Sequence, residues 1–106
     1  MSKYLLEVNY TLDGIKGLKS EGGSARVKAA TELVKGLGGK VESFYFAFGG
    51  TDAFVISEFP DEISVAAAAL TVGAGGGVAV RTVVLLTAAD IDEAASRQTT
   101  YRPPGG

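Results

Sequence analysis

The chain has 106 residues and a formal net charge of −2, from ten basic and twelve acidic residues. This length predicts one domain, and the absence of a basic run argues against a nucleic-acid partner. The chain contains no cysteine and no histidine, which excludes disulfides, ordinary zinc, copper and non-haem iron sites, a Ser-His-Asp triad and a cysteine nucleophile. No ligand spacing for a hard cation is present either, so we expect neither a metal nor a cofactor.

No stretch of the sequence is long and apolar enough to cross a bilayer. The apolar part of the N-terminal segment, residues 1–7, is also too short for a signal peptide. We therefore expect a cytoplasmic protein with no membrane partner. Apolar residues make up 46% of the chain, which is high for a lone small domain and indicates an interface.

Alternating hydrophobicity predicts a first strand over residues 3–10, with the even-numbered side chains on one face. The strand then breaks, and Thr11 or Asp13 is expected to cap a short helical turn over residues 15–18.

A longer helix is predicted after the glycine pair at residues 22 and 23, with Ser24 as its N-cap and Leu37 near its end. The glycine pair has two interpretations. It could leave free amides at the start of the helix that attract anions, or it could be only a flexible hinge. Its apolar residues recur at helical spacing. They are Val27, Ala30, Leu33, Val34 and Leu37.

Two further strands are predicted over residues 40–48 and 52–58, joined by a tight hairpin at Gly49-Gly50. In the first of them the phenylalanines at 44, 46 and 48 alternate with Tyr45, and Val41 is expected on the tyrosine side.

The alanine-rich segment 61–72 predicts a helix, followed by a glycine-rich loop. Residues 78–86 form the most apolar predicted strand, and Thr87 is expected to cap a short last helix ending at residue 97. Residues 98–106 are expected to be an exposed tail. The residues expected to face inward on the alanine-rich helix are Ile63, Ala66, Ala67, Leu70 and Ala74.

These elements predict an α+β fold of the ferredoxin-like βαββαβ type over residues 1–97, with a four-stranded antiparallel sheet and an extra C-terminal helix. The first strand is expected to lie between the third and the fourth. Two of the four strands are apolar on both faces, whereas the helices of one chain cover only one face. Burial of the second face against another copy is the simplest solution, so we expect a homo-oligomer.

Several short segments stand out, at residues 4–6, 9–11, 22–26, 38–40, 42–49, 52–56 and 81–82. They resemble segments of the GYD-domain proteins, in the same order, and the resemblance covers about residues 3–92. The resemblance implies a dimeric α/β-barrel arrangement of the ferredoxin-like fold. Where the family name expects Gly-Tyr-Asp, this chain has Gly50-Thr51-Asp52.

Asp52 is the first candidate for a catalytic residue. At the end of a hairpin beside apolar residues, a carboxylate can have a raised pKa and act as an acid or a base. The alternative is a structural role in which Asp52 accepts hydrogen bonds from backbone amides of the turn.

Glu7 and Arg81 lie in strands that should be neighbours, so we expect a cross-strand ion pair on the face away from the helices. Arg81 either holds an anionic ligand through its forked guanidinium group or serves only this structural or interface pair.

Asn9, Tyr10 and Tyr45 place polar groups on an apolar framework, as in many small-molecule sites. Tyrosines at strand spacing are also common in cores and interfaces.

Three functions stay open at this point. The first is an oligomeric domain that binds a small apolar or anionic ligand at the sheet–helix or subunit seam, with Asn9, Tyr10, Tyr45, Asp52 and Arg81 as contacts. The second is a cofactor-independent monooxygenase, isomerase or lyase, with Asp52 as its base and Arg81 or Tyr45 stabilising an oxyanion. The third is a structural or accessory subunit.

Overall fold

The computed structural model describes residues 1–106, which form four strands and four helices. No helix combines the length and the apolar character needed to span a membrane. In chain order the elements are β1 (Ser2–Tyr10), α1 (Leu12–Glu21), α2 (Gly23–Gly36), β2 (Lys40–Phe46), β3 (Ala53–Phe59), α3 (Glu62–Ala74), β4 (Val78–Leu85) and α4 (Ala88–Ser96).

The four strands form one antiparallel sheet in the order β2-β3-β1-β4. β1 therefore lies between β3 and β4, as the sequence predicts, and the α+β ferredoxin-like arrangement is confirmed. Tyr4 of β1 pairs with Ser57 of β3 and with Val84 of β4. This register places the even-numbered residues of β1 on the same face as the buried residues of β3.

α2 and α3 cover that face of the sheet. The buried cluster joins Tyr4 and Phe59 of the sheet to Val34 of α2 and to Val65 and Ala68 of α3. The rings of Tyr4 and Phe59 meet edge to face at 5.9 Å, a favourable aromatic geometry. Only nine of the 106 residues are buried, so the packed core occupies a small part of the interface between sheet and helices.

The opposite face of the sheet has no helix against it, and we call it the open face. The pairing registers bring its apolar side chains together across all four strands. They are Leu5, Tyr45, Phe54, Ile56, Val83 and Leu85.

A bulge in β2 changes which residues share a face. Val41 pairs with Ser57, but the next paired residue is Ser43, so Glu42 is an extra residue in the strand. An extra residue reverses the alternation, and Val41 therefore packs against the buried cluster on the helix side. Tyr45 lies on the open face. The prediction that Val41 and Tyr45 share a face was wrong for this reason.

The beginnings of α1 and α2 also differ from expectation. α1 is a full helix of ten residues rather than one turn, and Thr11 caps it by accepting the N–H of Gly14. α2 begins at Gly23, and its N-cap is Gly22. Gly22 has a φ of 86°, a conformation that glycine adopts without strain. Ser24 consequently lies inside the helix, and its prediction as the cap was wrong.

α3 presents a different side to the sheet from the one predicted. Its buried residues are Val65 and Ala68, whereas Ile63 is 81% exposed and Leu70 is 73% exposed. An alanine-rich helix is apolar all round, so its periodicity specifies no single inward stripe. The predicted inward alanines Ala66 and Ala74 are exposed, and Ala67 is half-buried.

The chain after β4 extends away from the rest of the molecule, and we call residues 86–106 the C-terminal arm. Each of its residues is exposed, including all of α4. The radius of gyration is 16.9 Å and the longest dimension 56 Å, against about 13 Å for the radius of a compact chain of this length. The packed domain therefore ends close to Leu85.

Candidate functional site

The helix-covered face of the sheet contains an apolar cavity beside the buried cluster. Its volume is about 100 Å³. The sheet contributes Leu6, Val8 and Tyr10 of β1 with residues of the other three strands, and four of the eight residues from the helices are alanines. Leu6 and Val8 are therefore only half-buried, although they point toward the helices. Small helix residues opposite large strand residues leave this space between the two layers.

A second, larger space opens outward from the cavity. This outer cleft has a volume of about 350 Å³ and is bounded by α1, the start of α2, the end of α3 and the glycine loop before β4. Its walls include Gly14 and Gly17 of α1 and Thr71 of α3. The cavity and the cleft are neighbours that share five lining residues. These are Tyr10, Arg26, Leu33, Val72 and Val78.

Arg26 is the one charged residue in the wall of the apolar cavity. It lies in the first turns of α2 and also lines the outer cleft. Its Nη1 atom is 3.0 Å from Oε1 of Glu21, the last residue of α1. The two side chains are 34% and 43% exposed. The pair is therefore an accessible ion pair at the boundary between an apolar space and a polar one.

Tyr10 is the second polar group shared by the two spaces. Burial is the main cause that raises the pKa of its phenol, while the positive charge of Arg26 opposes the increase. Like an ordinary tyrosine, this phenol is neutral at pH 7 and can donate or accept a hydrogen bond. The boundary between cavity and cleft thus presents one cation and one neutral hydroxyl.

The hairpin between β2 and β3 is attached to the end of β1. Oδ2 of Asp52 accepts the backbone N–H of Tyr10 at 2.9 Å, and the Asp52 N–H donates to the Val8 carbonyl. Asp52 thus accepts a backbone amide, as in the structural alternative, but the donor belongs to β1 rather than to the turn. This carboxylate fixes the strand that lines the cavity.

Comparison with known proteins gives one family. The family model named GYD domain matches residues 4–95 of the chain. The chain belongs to the GYD family. No curated protein and no solved structure matches it.

In this GYD domain the residues at the positions of the family tripeptide make specific contacts. Asn9 Nδ2 donates to the Gly50 carbonyl at 2.9 Å. Thr51 is buried, and its Oγ1 accepts a long hydrogen bond of 3.4 Å from Arg81. Together with Asp52, these contacts connect the hairpin to β1 and β4.

The expected ion pair between Glu7 and Arg81 is present. The two residues are direct cross-strand partners, and Arg81 Nη2 is 3.5 Å from Glu7 Oε1. The Arg81 side chain is largely exposed, so the pair contributes little to stability in water. It lies on the open face, away from the cavity.

The structure separates the five predicted site residues into two groups. Tyr10 lines the cavity, and Asp52 is bonded to its backbone. Asn9 and Arg81 contact the tripeptide from the open side. Tyr45 is 72% exposed on the open face and joins neither group.

The sequence interpretation did not identify Arg26 as a cavity residue. Arg26 precedes Ala30 by four positions and Leu33 by seven, so all three share one face of α2. All three line the cavity. A single cation on the same face as the apolar helical stripe was the available signal.

Proposed function

We propose that this GYD domain is a homo-oligomeric small-molecule-binding domain whose ligand occupies the space between the sheet and the helices. The observation that carries the proposal is the cavity itself, which is apolar except for Arg26 and adjoins a cleft that also contains Glu21 and Thr71. A largely apolar pocket with a few polar groups at one side is the usual form of a small-molecule site.

The energetic cost of the cavity supports a ligand. At roughly 24 cal/mol for each Å³ of closed cavity, unfilled space of this size lowers stability by at most about 2 kcal/mol, because it is open on the side of the cleft. That is a large share of the roughly 5–15 kcal/mol that stabilises an ordinary domain. Larger side chains at Ala30 or Ala69 would fill the space, so the alanines have a cost that ligand binding explains.

The test uses neutral apolar probes, which need no particular head group. We expect toluene and 1-hexanol to raise the melting temperature, because a ligand that binds only the folded state stabilises it by mass action. Ala69→Phe fills the cavity and should abolish the increase. Ala66→Phe is the matched control, because Ala66 is exposed on the same helix.

The outcome of this comparison is decisive. Loss of the increase in Ala69→Phe alone supports binding in the cavity. The proposal would be overturned if the probes did not raise the melting temperature of the wild type, or if they raised it equally in Ala69→Phe and Ala66→Phe. Either result would favour a purely structural subunit.

The oligomer in this proposal rests on the open face. Phe54 is 38% exposed and Val83 is 40% exposed, and both belong to an apolar surface that extends across the four strands. A sheet with two apolar faces requires cover on each. A second copy of the chain supplies a matching surface, because a two-fold axis pairs the same patch with itself.

Sedimentation velocity tests the assembly. We expect the wild type to have at least twice the mass of one chain, and Phe54→Arg to be a monomer because the cation cannot be buried unpaired. Ile63→Arg is the control, since Ile63 is also exposed but lies on the outer side of α3. A monomeric wild type at micromolar concentration contradicts the assembly.

A further inference from the structure

The ion pair between Arg26 and Glu21 at the mouth of the cavity indicates the class of ligand. Arg26 lines both the apolar cavity and the outer cleft, and its partner Glu21 lines the cleft alone. A ligand whose apolar body lies in the cavity therefore has its polar end beside the guanidinium group of Arg26.

Arg26 is the one cation that lines this position, and two carboxylates, Asp52 and Glu21, act on the neighbouring Tyr10 phenol. The phenol of Tyr10 is neutral at pH 7, as an ordinary tyrosine is, and burial raises its pKa further. α2 has no side-chain cap at Gly22 and no acidic residue in its first turn, so nothing on that helix compensates the positive end of its dipole. Glu21, from the neighbouring helix, is the side chain that the structure pairs with Arg26.

A ligand can readily replace Glu21 as the partner of Arg26. Both side chains are more than one third exposed, and ion pairs of this kind contribute little to stability. A ligand carboxylate can form two parallel hydrogen bonds with a guanidinium group. A ligand carboxylate that displaces Glu21 keeps Arg26 paired while the Glu21 side chain turns toward solvent, whereas a neutral ligand offers Arg26 only a weaker hydrogen bond.

We infer that the site takes a small apolar monocarboxylic acid, aliphatic or monocyclic aromatic, whose carboxylate replaces Glu21 on Arg26 while its hydrocarbon part fills the cavity. Glu21 then acts as a built-in competitor that occupies the cation when no ligand is present. This inference rests on the proposed function and adds to it the head group, its partner and the group it displaces.

The size of the cavity restricts the hydrocarbon part. An apolar cavity of about 150 Å³ holds benzene, so one of about 100 Å³ suits a short chain, and a ring would extend partly into the cleft. Within the carboxylate series from propanoate to hexanoate, affinity should increase about fourfold for each added methylene that becomes buried.

The experiment is isothermal titration calorimetry at pH 7 and low salt, with hexanoate, phenylacetate, 1-hexanol and hexylamine as probes. For the wild type we expect hexanoate to bind about tenfold more tightly than 1-hexanol, the size of effect typical of a charge-assisted hydrogen bond. Hexylamine should bind more weakly than 1-hexanol. Tighter binding of phenylacetate than of hexanoate would show that the site prefers aromatic over aliphatic carboxylic acids.

Two variants act in opposite directions. Arg26→Gln should remove the preference for hexanoate while 1-hexanol still binds, and that remaining binding shows that the cavity is intact. Glu21→Gln removes the competitor and should tighten hexanoate binding about threefold, without a change for 1-hexanol. Arg97→Gln is the control, because it removes an exposed ion pair between Arg97, the residue after α4, and Glu93, far from the cavity.

The failures are distinguishable. Equal binding of hexanoate and 1-hexanol to the wild type overturns this inference and leaves the proposed function standing. Tighter binding of hexylamine than of hexanoate, or weaker hexanoate binding in Glu21→Gln, also overturns it. No binding by any of the four probes overturns the proposed function itself.

Discussion

Gly14 of α1 lies directly against the backbone of Gly77 in the loop before β4, so closely that a β-carbon on Gly14 would overlap the Gly77 carbonyl oxygen. Two hydrogen bonds hold the same junction. The Thr11 N–H donates to the Gly77 carbonyl at 3.0 Å, and the Thr11 hydroxyl donates to the Gly76 carbonyl at 2.9 Å. This contact joins α1 to the glycine loop, and both Gly14 and Gly77 line the outer cleft.

Alanine substitutions at two glycines of α1 should therefore have opposite effects. Gly14→Ala forces the helix away from the loop and should destabilise the protein by about 1–3 kcal/mol, as overpacking does. At Gly17 a β-carbon meets nothing within 4 Å, and Gly17→Ala should stabilise the protein by about 0.5–1 kcal/mol through helix propensity. Urea denaturation measures both. Equal effects would show that the contact with Gly77 is not restrictive.

The hydroxyl of Ser57 is buried without a hydrogen-bond partner. Ser57 is fully buried on the helix side of β3, and a buried polar group in this state costs roughly 1–3 kcal/mol. Ser57→Ala should raise the free energy of unfolding by about 1 kcal/mol. Ser43→Ala makes the same chemical change on the open face of β2 and is the reference. A loss of stability in Ser57→Ala beyond that of the reference would indicate that the hydroxyl has a partner.

The N-cap of α3 gives the protein a defined response to acid. Asp61 Oδ1 accepts the Ser64 N–H at 2.8 Å, and this backbone hydrogen bond lowers the pKa of the Asp61 carboxyl below its usual value. The stabilisation is fully present above about pH 4, the pKa of an unfolded aspartate. It is lost as the pH falls through the lower pKa of the folded state.

Asp61→Asn isolates this effect, because asparagine also caps helices but does not titrate. Thermal melts between about pH 2 and pH 5 should show a smaller acid-induced decrease for Asp61→Asn than for the wild type. Asp90 of α4 also has a lowered pKa, because its carboxylate accepts the Thr87 N–H. Its helix is exposed throughout, so Asp90→Asn should leave the global melting curve unchanged. Identical acid profiles for the wild type and Asp61→Asn would refute the assignment.

The strand order and the two faces of β1 are predictable from the sequence because alternation has a strict period of two. The same property makes the prediction fragile, since the single extra residue Glu42 moves Val41 to the other face. A bulge of this kind is defined by how the strand pairs with its neighbour. The sequence of one strand alone does not show that pairing. The face of α3 was unpredictable for a related reason, because alanine at most positions removes the contrast between its sides.

The candidate site was less accessible to sequence reasoning than the fold. A cavity arises from the volumes of residues on different elements, such as Leu6 on β1 opposite Ala30 on α2 and Ala69 on α3. No local pattern reports that mismatch. The sequence instead predicted a site formed by polar residues of the strands. Three of these residues make contacts that position the hairpin; they are Asn9, Asp52 and Arg81. Tyr10 is the predicted residue that also lines the cavity.

The C-terminal arm gives the last prediction, which concerns the limits of the folding unit. α4 has a complete capping box, in which Thr87 and Asp90 satisfy each other's backbone amides. An isolated helix of nine residues is nevertheless marginal in water, since isolated helices need roughly 12–15 residues even in favourable sequences. The cap alone therefore does not hold α4 in place.

A chain truncated after Leu86 should consequently keep the stability of the full chain to within about 0.5 kcal/mol, as expected for changes that leave the packed structure untouched. Urea denaturation at several protein concentrations measures this, and sedimentation velocity on the same samples reports the oligomer. A larger loss of stability that grows with protein concentration would mean that the arm packs on another copy, with Leu86 and Ile91 as the exposed apolar residues available for that contact. Equal curves for both chains at every concentration place the boundary of the cooperative domain before α4.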